Sequence, residues 1–579
     1  MQYRSPVYTE KTQCQDCYKC IRECPVKAIR VEGGHATILT DLCVLCGHCV
    51  TVCPAGAKRV RDDLDRARQL LRLKDRVFVS LAPSFASEFA EIDPAGLVRA
   101  IVSLGFAGVS ETAIGADLVS AELAEDFRRA AAGDRGQRLI LSSACPVAVE
   151  YVKRYRPELA PYVADRASPL LAHARFLRAR FGDDVGVVFV GPCVAKKREA
   201  DVWGEIDCAI TFGDLRRWLE ETGTRLPRAG EGPEVDPGFV PRRAAKGALY
   251  PVDGGMIESI RQYAPGGGVR AMAASGLGMI ERTLRGLEPE TLKAPLFLEL
   301  LACPGGCVNG PGACAASSGA ARRMSLLDYA EGASAVLDEA RPTMTGTLPV
   351  DPVERREIGE DELRAALRQV GKRDARDELN CGSCGYDTCR GFARAMVEGR
   401  AERTMCVSYM RALAQKKANG LIRAIPSGVV IADAGLHVIE CNENFARLMG
   451  DEIVSMYEAR PGLEGADLAA ITDLSRLFRD VLAGDGPEVI EREVRDGKRI
   501  LHATVFSVER GECACGVVQD VTAPQVRRDR VIKQTRRVID KNLAVVQKIA
   551  FLLGENAAET EATLNSIVES FAADEGDES

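Results

Sequence analysis

The chain has no run of apolar residues near the roughly 20 that a helix needs to cross a bilayer. Its first residues, MQYRSPVYTEK, contain neither the apolar core of a secretion signal nor a twin-arginine pair. Basic residues do not exceed acidic ones, and the formal net charge of −7 gives no reason to expect nucleic-acid binding. We therefore expect a soluble, cytoplasmic protein with no membrane and no nucleic acid among its partners.

Cysteine, by contrast, is plentiful, since the 579 residues include 21. In a secreted protein these would suggest disulfides, but in the reducing compartment expected here they are better explained as thiolate ligands. A chain of this length holds about three to five domains. The grouping of the cysteines along the chain therefore indicates which of those domains bind metal.

Two cysteine runs open the chain, each with the spacing Cys-x2-Cys-x2-Cys-x3-Cys-Pro. Bacterial two-cluster ferredoxins have this spacing, and in them the fourth Cys of each run binds the other cluster. The rule predicts two 4Fe–4S clusters, one held by Cys14, Cys17, Cys20 and Cys53 and the other by Cys43, Cys46, Cys49 and Cys24. A pair of zinc ribbons is the alternative, but the third Cys of each tight run and the Cys-Pro ending argue against it.

Short apolar strands alternate with helical or Gly/Pro-rich segments between about residues 75 and 340. The predicted strands are RVFVSLA, LILSS, VGVVFVG and LFLELLA. This alternation is typical of parallel α/β structure. The Pro/Gly-rich stretch 226–247 is predicted to be a surface excursion within this domain.

Three of the predicted strand ends carry cysteines, in SSACP (142–146), GPCVAKKRE (191–199) and ACPGGCVNGPG (302–312). Cysteines at the ends of parallel strands converge on a crevice where such folds bind ligands. Gly305 and Gly306 leave space for a bulky inorganic group to approach the backbone. Four thiolates suffice for one more cubic cluster: Cys145, Cys193, Cys303 and Cys307.

Taken in order, these segments resemble the three signature segments of the di-iron hydrogenases, and the resemblance covers roughly residues 1–340. Supporting stretches are LAPSF (81–85), ETAIGADL (111–118) and VDGGMIES (252–259). The family implies an H-cluster, in which a 4Fe–4S cube is joined to a di-iron unit with CO and CN ligands. The four cysteines would hold it, and Cys307 would bridge its two parts.

The same resemblance implies roles for further residues. Lys196 falls where the family places a lysine on a cyanide ligand, and an ammonium suits an anionic acceptor. Glu199 falls on a proton-relay carboxylate, and Ser84, Gly305 and Gly306 are expected beside the cofactor. A solvated helix start is the alternative explanation for Lys196 and Glu199.

The chain departs from the family pattern at the expected proton donor. Active members carry two adjacent cysteines in the first segment, and here the donor position is Ala144. Methionines that usually line the pocket are replaced by Gly191 and Leu301. Because a positioned acid contributes on the order of 10²–10⁴ in rate, we expect slow turnover. These substitutions resemble the sensory subgroup of the family.

A further cysteine group, Cys381-x2-Cys384-x4-Cys389-x16-Cys406, resembles a small 4Fe–4S domain of redox enzymes and corrinoid proteins. Zinc is the alternative ligand, but the group contains no histidine and lies in a chain with other predicted clusters. We therefore expect a third 4Fe–4S cluster here, on an electron path that leads beyond the hydrogenase domain.

Residues 421–450 resemble the start of a PAS domain, with a hairpin turn at 433–435 and an Asn-x-x-Phe helix that begins near Asn442. The strands that follow complete a five-stranded antiparallel sheet. Nothing identifies a PAS ligand, because His437 and His502 are better explained as strand residues than as haem ligands. The remaining cysteines have a packing explanation and, for the last three, a redox or metal alternative: Cys208, Cys314, Cys441, Cys513 and Cys515.

The tail repeats apolar residues every seven positions, as in a short, imperfect coiled coil, at Val531, Val538, Val545 and Leu552, with Ile549 between them. This predicts a homodimer. No histidine follows His502, so the chain is not itself a histidine kinase. A partner kinase or phosphatase is expected to receive the signal.

The predicted fold class is multidomain α/β plus α+β. Its domains are a ferredoxin-like two-cluster module at 1–70, a parallel α/β hydrogenase domain at 71–345, a small helical 4Fe–4S domain at 346–412, a PAS fold at 413–523 and a C-terminal signalling helix at 524–579. The predicted function is that of a slow ferredoxin-type hydrogenase acting as an H2 sensor. A metabolic hydrogenase linked to a ferredoxin-like partner is one alternative, and an iron–sulfur scaffold that lost its di-iron unit is another.

Overall fold

The computed structural model describes residues 4–32, 34–132, 138–228, 238–265, 268–314, 316–331, 342–354, 356–523, 534, 536–541 and 543–544. The chain divides into two compact units, Met1–Tyr409 and Met410–Ser579. Within the described residues, no helix combines the length and the apolar character needed to span a membrane. The predicted fold class is confirmed, with a ferredoxin-like module, parallel sheets and a PAS fold in one chain.

The N-terminal module is built from two similar halves, each with a cysteine run that leads into a short helix. Its elements are β1 (Val7–Thr9), α1 (Lys19–Arg22), β2 (Ile29–Glu32), β3 (His35–Ile38), α2 (His48–Val52) and β4 (Lys58–Val60). The outer strands β1 and β4 pair antiparallel, as do β2 and β3. The first and last strands of the module are thereby joined, which brings the two cysteine runs together.

The second domain contains two parallel sheets. Its elements are α3 (Leu64–Leu73), β5 (Val77–Leu81), α4 (Phe85–Glu88), α5 (Pro94–Ser103), β6 (Gly108–Glu111), α6 (Thr112–Ala131), β7 (Leu139–Leu141), α7 (Pro146–Tyr155), α8 (Pro169–Phe181), β8 (Gly186–Gly191), α9 (Lys196–Val202), β9 (Cys208–Thr211), α10 (Phe212–Glu221), α11 (Gly255–Tyr263), β10 (Arg270–Ser275), α12 (Leu277–Leu284), β11 (Leu296–Leu301) and α13 (Gly319–Ala330). The strand orders are β6-β5-β8-β9 and β10-β11-β7.

The four predicted strands of this domain are β5, β7, β8 and β11. Every residue of β5 and of β8 is buried, because helices cover both faces of a parallel sheet and the strands must be apolar throughout. The strands β6, β9 and β10 were not foreseen. The Pro/Gly-rich stretch 226–247 lies partly outside the described residues, which omit 229–237.

Two helices, α14 (Glu360–Gln369) and α15 (Cys389–Val397), form most of the small cysteine domain. The next helix, α16 (Val407–Ala424), begins directly after Cys406. The domain end predicted at residue 412 therefore falls inside a continuous helix, because nothing in the sequence 407–424 interrupts it.

The second unit contains the PAS fold. Its elements are β12 (Gly428–Asp433), β13 (Val438–Cys441), α17 (Glu443–Met449), α18 (Asp451–Ala459), α19 (Leu468–Ile471), α20 (Ser475–Leu482), β14 (Val489–Asp496), β15 (Arg499–Glu509) and β16 (Cys513–Asp520). They form an antiparallel sheet of order β13-β12-β16-β15-β14, with the five strands predicted. One face of this sheet packs on helix α20 around the fully buried Phe445 and Phe478.

The predicted heptad tail is described only in part. Val538 lies in helical backbone and is exposed. The other predicted seam residues lie outside the described residues: Val531, Val545, Ile549 and Leu552.

Candidate metal centre

The four cysteines predicted for the H-cluster all follow the carboxyl end of a parallel strand. Cys145 precedes α7 shortly after β7, and Cys193 lies two residues after β8. Cys303 lies two residues after β11, and Cys307 begins a short 3-10 helix, Cys307–Asn309. The two sheets thus contribute thiols to one place.

These four thiols lie close enough together for their charges to interact. Burial, with a contribution from the neighbouring Cys145, raises the pKa of the Cys193 thiol to about 11. Burial also raises the pKa of Cys303 and Cys307, again with contributions from the other thiols. Buried thiols that oppose one another's ionisation suit a cationic iron cluster, because iron stabilises the thiolate form. The residues present therefore fit a cluster.

A cavity of about 90 Å³ lies beside these thiols. Most of its lining is apolar, and it includes Ala82, Pro83, Ala144, Pro169, Phe189 and Leu301. Ser84 also lines it, and the Ser84 Oγ atom is buried without a hydrogen-bond partner among the described residues. A buried hydroxyl without a hydrogen-bond partner is costly unless a ligand accepts a hydrogen bond from it. The cavity therefore fits the di-iron unit predicted to join the cube.

Lys196 lines the same cavity and lies at the start of α9. Its ammonium donates to Glu199 Oε2 at 2.5 Å and to Ser168 Oγ at 3.1 Å, and the Ser168 hydroxyl donates to Glu199 Oε2 at 3.2 Å. Lys196 is 8% exposed and Glu199 is 2% exposed. The alternative of a solvated helix start is therefore wrong, because both charges are buried and paired with each other.

The cavity has a methyl group where the family places an acid. Ala144 and Leu301 both line it. At Gly191, an added Cβ would lie 2.5 Å from the Phe189 ring and 2.6 Å from the Ala82 methyl, so neighbouring apolar atoms fill the space of a larger side chain. Neither Ala144 nor Leu301 nor Gly191 has a side chain that can donate a proton to the cavity.

The reason for one of the predicted glycines differs from the expectation. A Cβ added at Gly306, whose φ is +101°, would lie 2.1 Å from the Pro251 carbonyl oxygen. The space at Gly306 is thus occupied by the protein's own backbone. Glycine is required there so that the CPGGC loop can pass residues 251–252, and only secondarily for access by a cofactor.

The two ferredoxin runs pair crosswise. Cys20 lies within electrostatic reach of the two preceding cysteines of its own run and of Cys53 from the second run. Cys24, the fourth cysteine of the first run, lies beside the three tightly spaced cysteines of the second. The structure thus brings together the same two sets of four that the sequence predicts.

Both runs have left-handed backbone at equivalent places. Asp16 and Tyr18 in the first run have φ of 49° and 57°, and Leu45 and Gly47 in the second have 57° and 72°. This conformation costs a residue other than glycine about 1–2 kcal/mol. It lets the Leu45 amide donate to Cys43 Sγ at 3.4 Å. Loops shaped in this way fit a 4Fe–4S cluster in each set.

The second ferredoxin set lies against the H-cluster cysteines. Cys46 is within electrostatic reach of Cys303, and both line a groove of about 390 Å³ between the two domains. Sequence reasoning gave no sign of this contact, because the two residues are distant in the chain and only the folded domains bring them together.

The small domain also gathers its predicted ligands. Cys384 lies within electrostatic reach of Cys381 and Cys406, and both Cys389 and Cys406 are buried. Asn380, which the sequence analysis did not single out, holds Cys389: its amide donates to Cys389 Sγ at 3.4 Å, and its Oδ1 accepts from the Cys389 amide at 2.8 Å. Its position directly before the first cysteine is the only sequence signal for that role.

The remaining predicted residues lie apart from these sets. Cys208 is buried in β9, and its thiol contacts Asp63 O at 3.6 Å. Cys314 is exposed. His437 lies beside Asp433 at the hairpin, and His502 Nε2 lies 3.3 Å from Thr504 Oγ1.

The other PAS cysteines divide between the two faces of the sheet. Cys441 packs in the PAS core, whereas Cys515 lies on the opposite face beside Cys513. Across the described ranges, no three His, Cys, Asp or Glu side chains surround the position of a single metal ion.

The fold and the site define an iron–sulfur protein of the multidomain hydrogenase type, and comparison with known families agrees. Residues 75–311 match the family described as iron only hydrogenase large subunit, C-terminal domain. Residues 13–57 match the 4Fe-4S dicluster domain, 377–408 an Fe-S cluster domain and 417–492 the PAS domain. The central domain of this chain therefore belongs to the iron-only hydrogenase family, and the chain combines it with domains that bind 4Fe–4S clusters and with a PAS domain.

Several curated proteins are similar to part of the chain. The NADP-reducing hydrogenase subunit HndD of Solidesulfovibrio fructosivorans is 29% identical over 49% of this chain and 58% of its own length. Iron hydrogenase 1 of Clostridium pasteurianum is 26% identical over 45% of this chain and 54% of its own. Cytosolic iron-sulfur assembly component 3 of Mus musculus is 27% identical over 34% and 49%. The chain thus spans about half the length of these relatives.

A solved [FeFe]-hydrogenase HydA1 from Chlamydomonas reinhardtii aligns with 46% of this chain and 90% of its own, at 21% identity and a TM-score of 0.37.

Proposed function

We propose that the protein is a cytoplasmic hydrogen sensor of low turnover. The observation that carries this proposal is a cavity with its thiol ligands and its Lys196–Glu199 pair intact but with Ala144 at the proton-donor position, in a chain that continues into a PAS domain. A catalyst selected for rate needs the missing acid. A sensor needs only slow, reversible reaction with H2.

The proposed cofactors are three 4Fe–4S clusters and one H-cluster. Two clusters belong to the ferredoxin sets and one to the cysteines of 381–406, while Cys145, Cys193, Cys303 and Cys307 hold the H-cluster. When bound, the H-cluster supplies the chemistry that separates H2 into two protons and two electrons. The overall reaction is then that of a ferredoxin hydrogenase, in which two oxidised ferredoxins each take one electron.

The chain's own residues position that chemistry. Glu199 and Ser168 orient the Lys196 ammonium, which lines the cavity and can donate to an anionic ligand. The Glu199 carboxylate is the acceptor nearest to this ammonium, and we assign it the transfer of protons away from the cavity. The apolar lining, with Phe189 and Leu301, keeps water from the reacting centre.

The proposed partners follow from the same arrangement. Cys17 is exposed, which gives a ferredoxin-like redox partner access to the first cluster. The PAS domain and the tail would form a homodimer and act on a kinase or phosphatase. Neither a membrane nor a nucleic acid is part of the proposal. The domain limits proposed for these roles are those predicted above, with the small domain now ending at the start of α16.

The matured protein tests this function by three measurements on one sample. Infrared spectroscopy should show CO and CN bands, dye-linked assays should show slow H2 oxidation, and hydrogen exchange of residues 410–523 should differ between H2 and argon. Bands with fast turnover and no exchange difference would instead indicate a metabolic hydrogenase. Protein without bands, despite full iron occupancy of the 4Fe–4S sites, would indicate an assembly or scaffold role like that named for some relatives.

A further inference from the structure

The two ferredoxin ligand sets differ in what surrounds them. The set of Cys43, Cys46, Cys49 and Cys24 meets the hydrogenase domain on one side, where Cys46 lies near Cys303. On another side, Cys24 lies within electrostatic reach of Tyr386 in the small domain. The same tyrosine lies near Cys384, a predicted ligand of the third cluster. One ferredoxin set therefore lies near the H-cluster cysteines directly and near the third set through Tyr386.

The small domain packs closely against helix α1 of the ferredoxin module. Gly385, with φ +92°, packs so tightly that an added Cβ would lie 2.8 Å from Ile21 Cγ2 and 3.3 Å from the Arg22 amide nitrogen. Arg400 strengthens the contact, because its guanidinium donates to the Lys27 carbonyl at 3.3 Å. Such an approach allows the segment between Cys384 and Cys389 to touch the helix between Cys20 and Cys24.

Tyr386 fills the interface itself. Its side chain is 5% exposed and belongs to the same apolar cluster as Cys20, Cys24 and Cys406. The Tyr386 ring contacts the Phe392 ring, with centroids 5.8 Å apart. Its hydroxyl is buried without a hydrogen-bond partner among the described residues, so the ring and not the hydroxyl makes the contact.

The other ferredoxin set, formed by Cys14, Cys17, Cys20 and Cys53, has different surroundings. The cysteines that influence Cys20 most are Cys14, Cys53 and Cys17, all of its own predicted set. Cys17 is exposed. Tyr18, the aromatic residue of this run, is half-buried, and its hydroxyl donates to Asp16 Oδ2 at 3.2 Å within its own loop.

We propose that Gly385 and Tyr386, packed on Ile21 and Cys24, form the electronic junction between the cysteines of 381–406 and the ferredoxin set that faces the H-cluster cysteines. Electrons from H2 then reach the third cluster without passing the set of Cys14, Cys17, Cys20 and Cys53. This inference rests on the proposed function and adds its internal route. Each H2 yields two protons and two electrons, and each 4Fe–4S centre takes one electron as one ferric iron becomes ferrous.

Substitutions that spare every ligand test the junction. Tyr386→Leu removes the aromatic ring, and Tyr386→Phe keeps it while removing the unpartnered hydroxyl. Tyr18→Leu is the matched control, because it makes the same change at the other ferredoxin set and within the same apolar cluster. Gly385→Val is a stronger perturbation, since the branched side chain must push Ile21 away.

The readout is electron paramagnetic resonance of the matured protein, with iron content measured for each variant. In wild-type protein and in Tyr386→Phe and Tyr18→Leu, we expect the third cluster to become reduced under H2, with signal splitting from a nearby reduced cluster. In Tyr386→Leu and Gly385→Val, we expect slower reduction of the third cluster by H2, while dithionite still reduces it.

The outcomes separate the two proposals. Wild-type protein whose third cluster stays oxidised under H2, although CO and CN bands are present, would overturn the proposed function. Reduction in wild type that is equally fast in Tyr386→Leu and Gly385→Val, or that is lost in Tyr18→Leu, would overturn the junction alone. If Gly385→Val loses iron, the comparison of Tyr386→Leu with Tyr386→Phe decides the question.

Discussion

Two interiors in this protein are filled in opposite ways. In the hydrogenase domain, thiols, an ammonium and an unsatisfied Ser84 hydroxyl surround a cavity of about 90 Å³. In the PAS domain, the Phe478 ring lies so close to Gly516 that an added Cβ would be 2.4 Å from it. One interior is shaped to receive an inorganic group, whereas the other is occupied by the protein's own side chains. The difference teaches that only the first interior offers space and donors for a cofactor, so we expect the PAS domain to act through its packing.

The largest effect is expected from a substitution that prevents the hydrogenase domain from holding its di-iron unit. Cys307→Ser should abolish the CO and CN infrared bands, because the predicted bridge between the cube and the di-iron unit is lost. The clusters of the ferredoxin sets and of 381–406 should remain. Cys208→Ser is the control, since Cys208 is a buried cysteine outside the predicted ligand sets, with its thiol 3.6 Å from Asp63 O. Bands that persist in Cys307→Ser would assign the bridge to another cysteine.

Restoring an acid at position 144 should increase the rate of H2 oxidation and so widen the difference between the hydrogenase interior and the PAS interior. Ala144→Cys places a thiol at the cavity wall, and we expect H2 oxidation to increase within the range of about 10²–10⁴ that a positioned acid contributes. With Gly191 and Leu301 unchanged, the gain should lie toward the lower end. Ala144→Ser should give little gain, because a hydroxyl is a much weaker acid than a thiol.

Dye-linked turnover under H2 measures both variants at position 144. An Ala144→Cys protein with intact infrared bands and an unchanged rate would show that proton delivery at this position does not limit turnover.

Removing a large side chain from the PAS core should lower the stability of the PAS domain without changing the H-cluster site. Phe478→Ala removes a fully buried ring, and such changes cost about 3–5 kcal/mol. Hydrogen exchange in β12 and β16 should accelerate, while the CO and CN bands stay the same. Phe506→Ala, on the opposite face of the sheet and only half-buried, should have a smaller effect. Equal effects at the two positions would contradict the view that the interior is packed around Phe478.

Much of this organisation could be predicted from the sequence because cysteine spacing and strand hydrophobicity are local signals. The ligand sets follow from repeated runs, and β5 and β8 follow from continuous apolar segments. The strand β10 carries alternating exposure in RAMAAS, so no apolar run marks it. Similarly, β6 and β9 are only four residues long and mix polar with apolar residues.

What the sequence could not supply depends on contacts between distant segments. The approach of Cys46 to Cys303 and the packing of Gly385 on Ile21 arise only when whole domains dock. The burial of Lys196 and Glu199 likewise depends on α8, because Ser168 at its start completes their network. A helix start rich in charge looks solvated until the neighbouring helix is in place.

The smallest expected effect tests how a domain with a filled interior can still transmit a signal. Asn442 Nδ2 donates to the carbonyls of Ile422 and Ser427, each at 2.9 Å, which ties the end of α16 to the PAS sheet. Its Oδ1 accepts from the amides of Val429 and Phe445 at 2.8 and 2.9 Å. Because α16 begins directly after the predicted ligand Cys406, we expect this side chain to carry a change in that helix to the sheet.

Asn442→Asp separates the two functions of this side chain, because the carboxylate still caps α17 but can no longer donate to the carbonyls of Ile422 and Ser427. Leaving buried acceptors unsatisfied costs about 1–3 kcal/mol, so exchange of residues 420–427 should accelerate while α17 stays protected. Reduction of the clusters by H2 should be unchanged, but the H2-dependent exchange difference in β12 and β16 should disappear. Asn444→Asp is the control, since half-buried Asn444 donates one hydrogen bond, to Ile425 O at 3.0 Å. If Asn442→Asp keeps the full H2-dependent exchange difference in β12 and β16, the signal must enter the sheet through other residues.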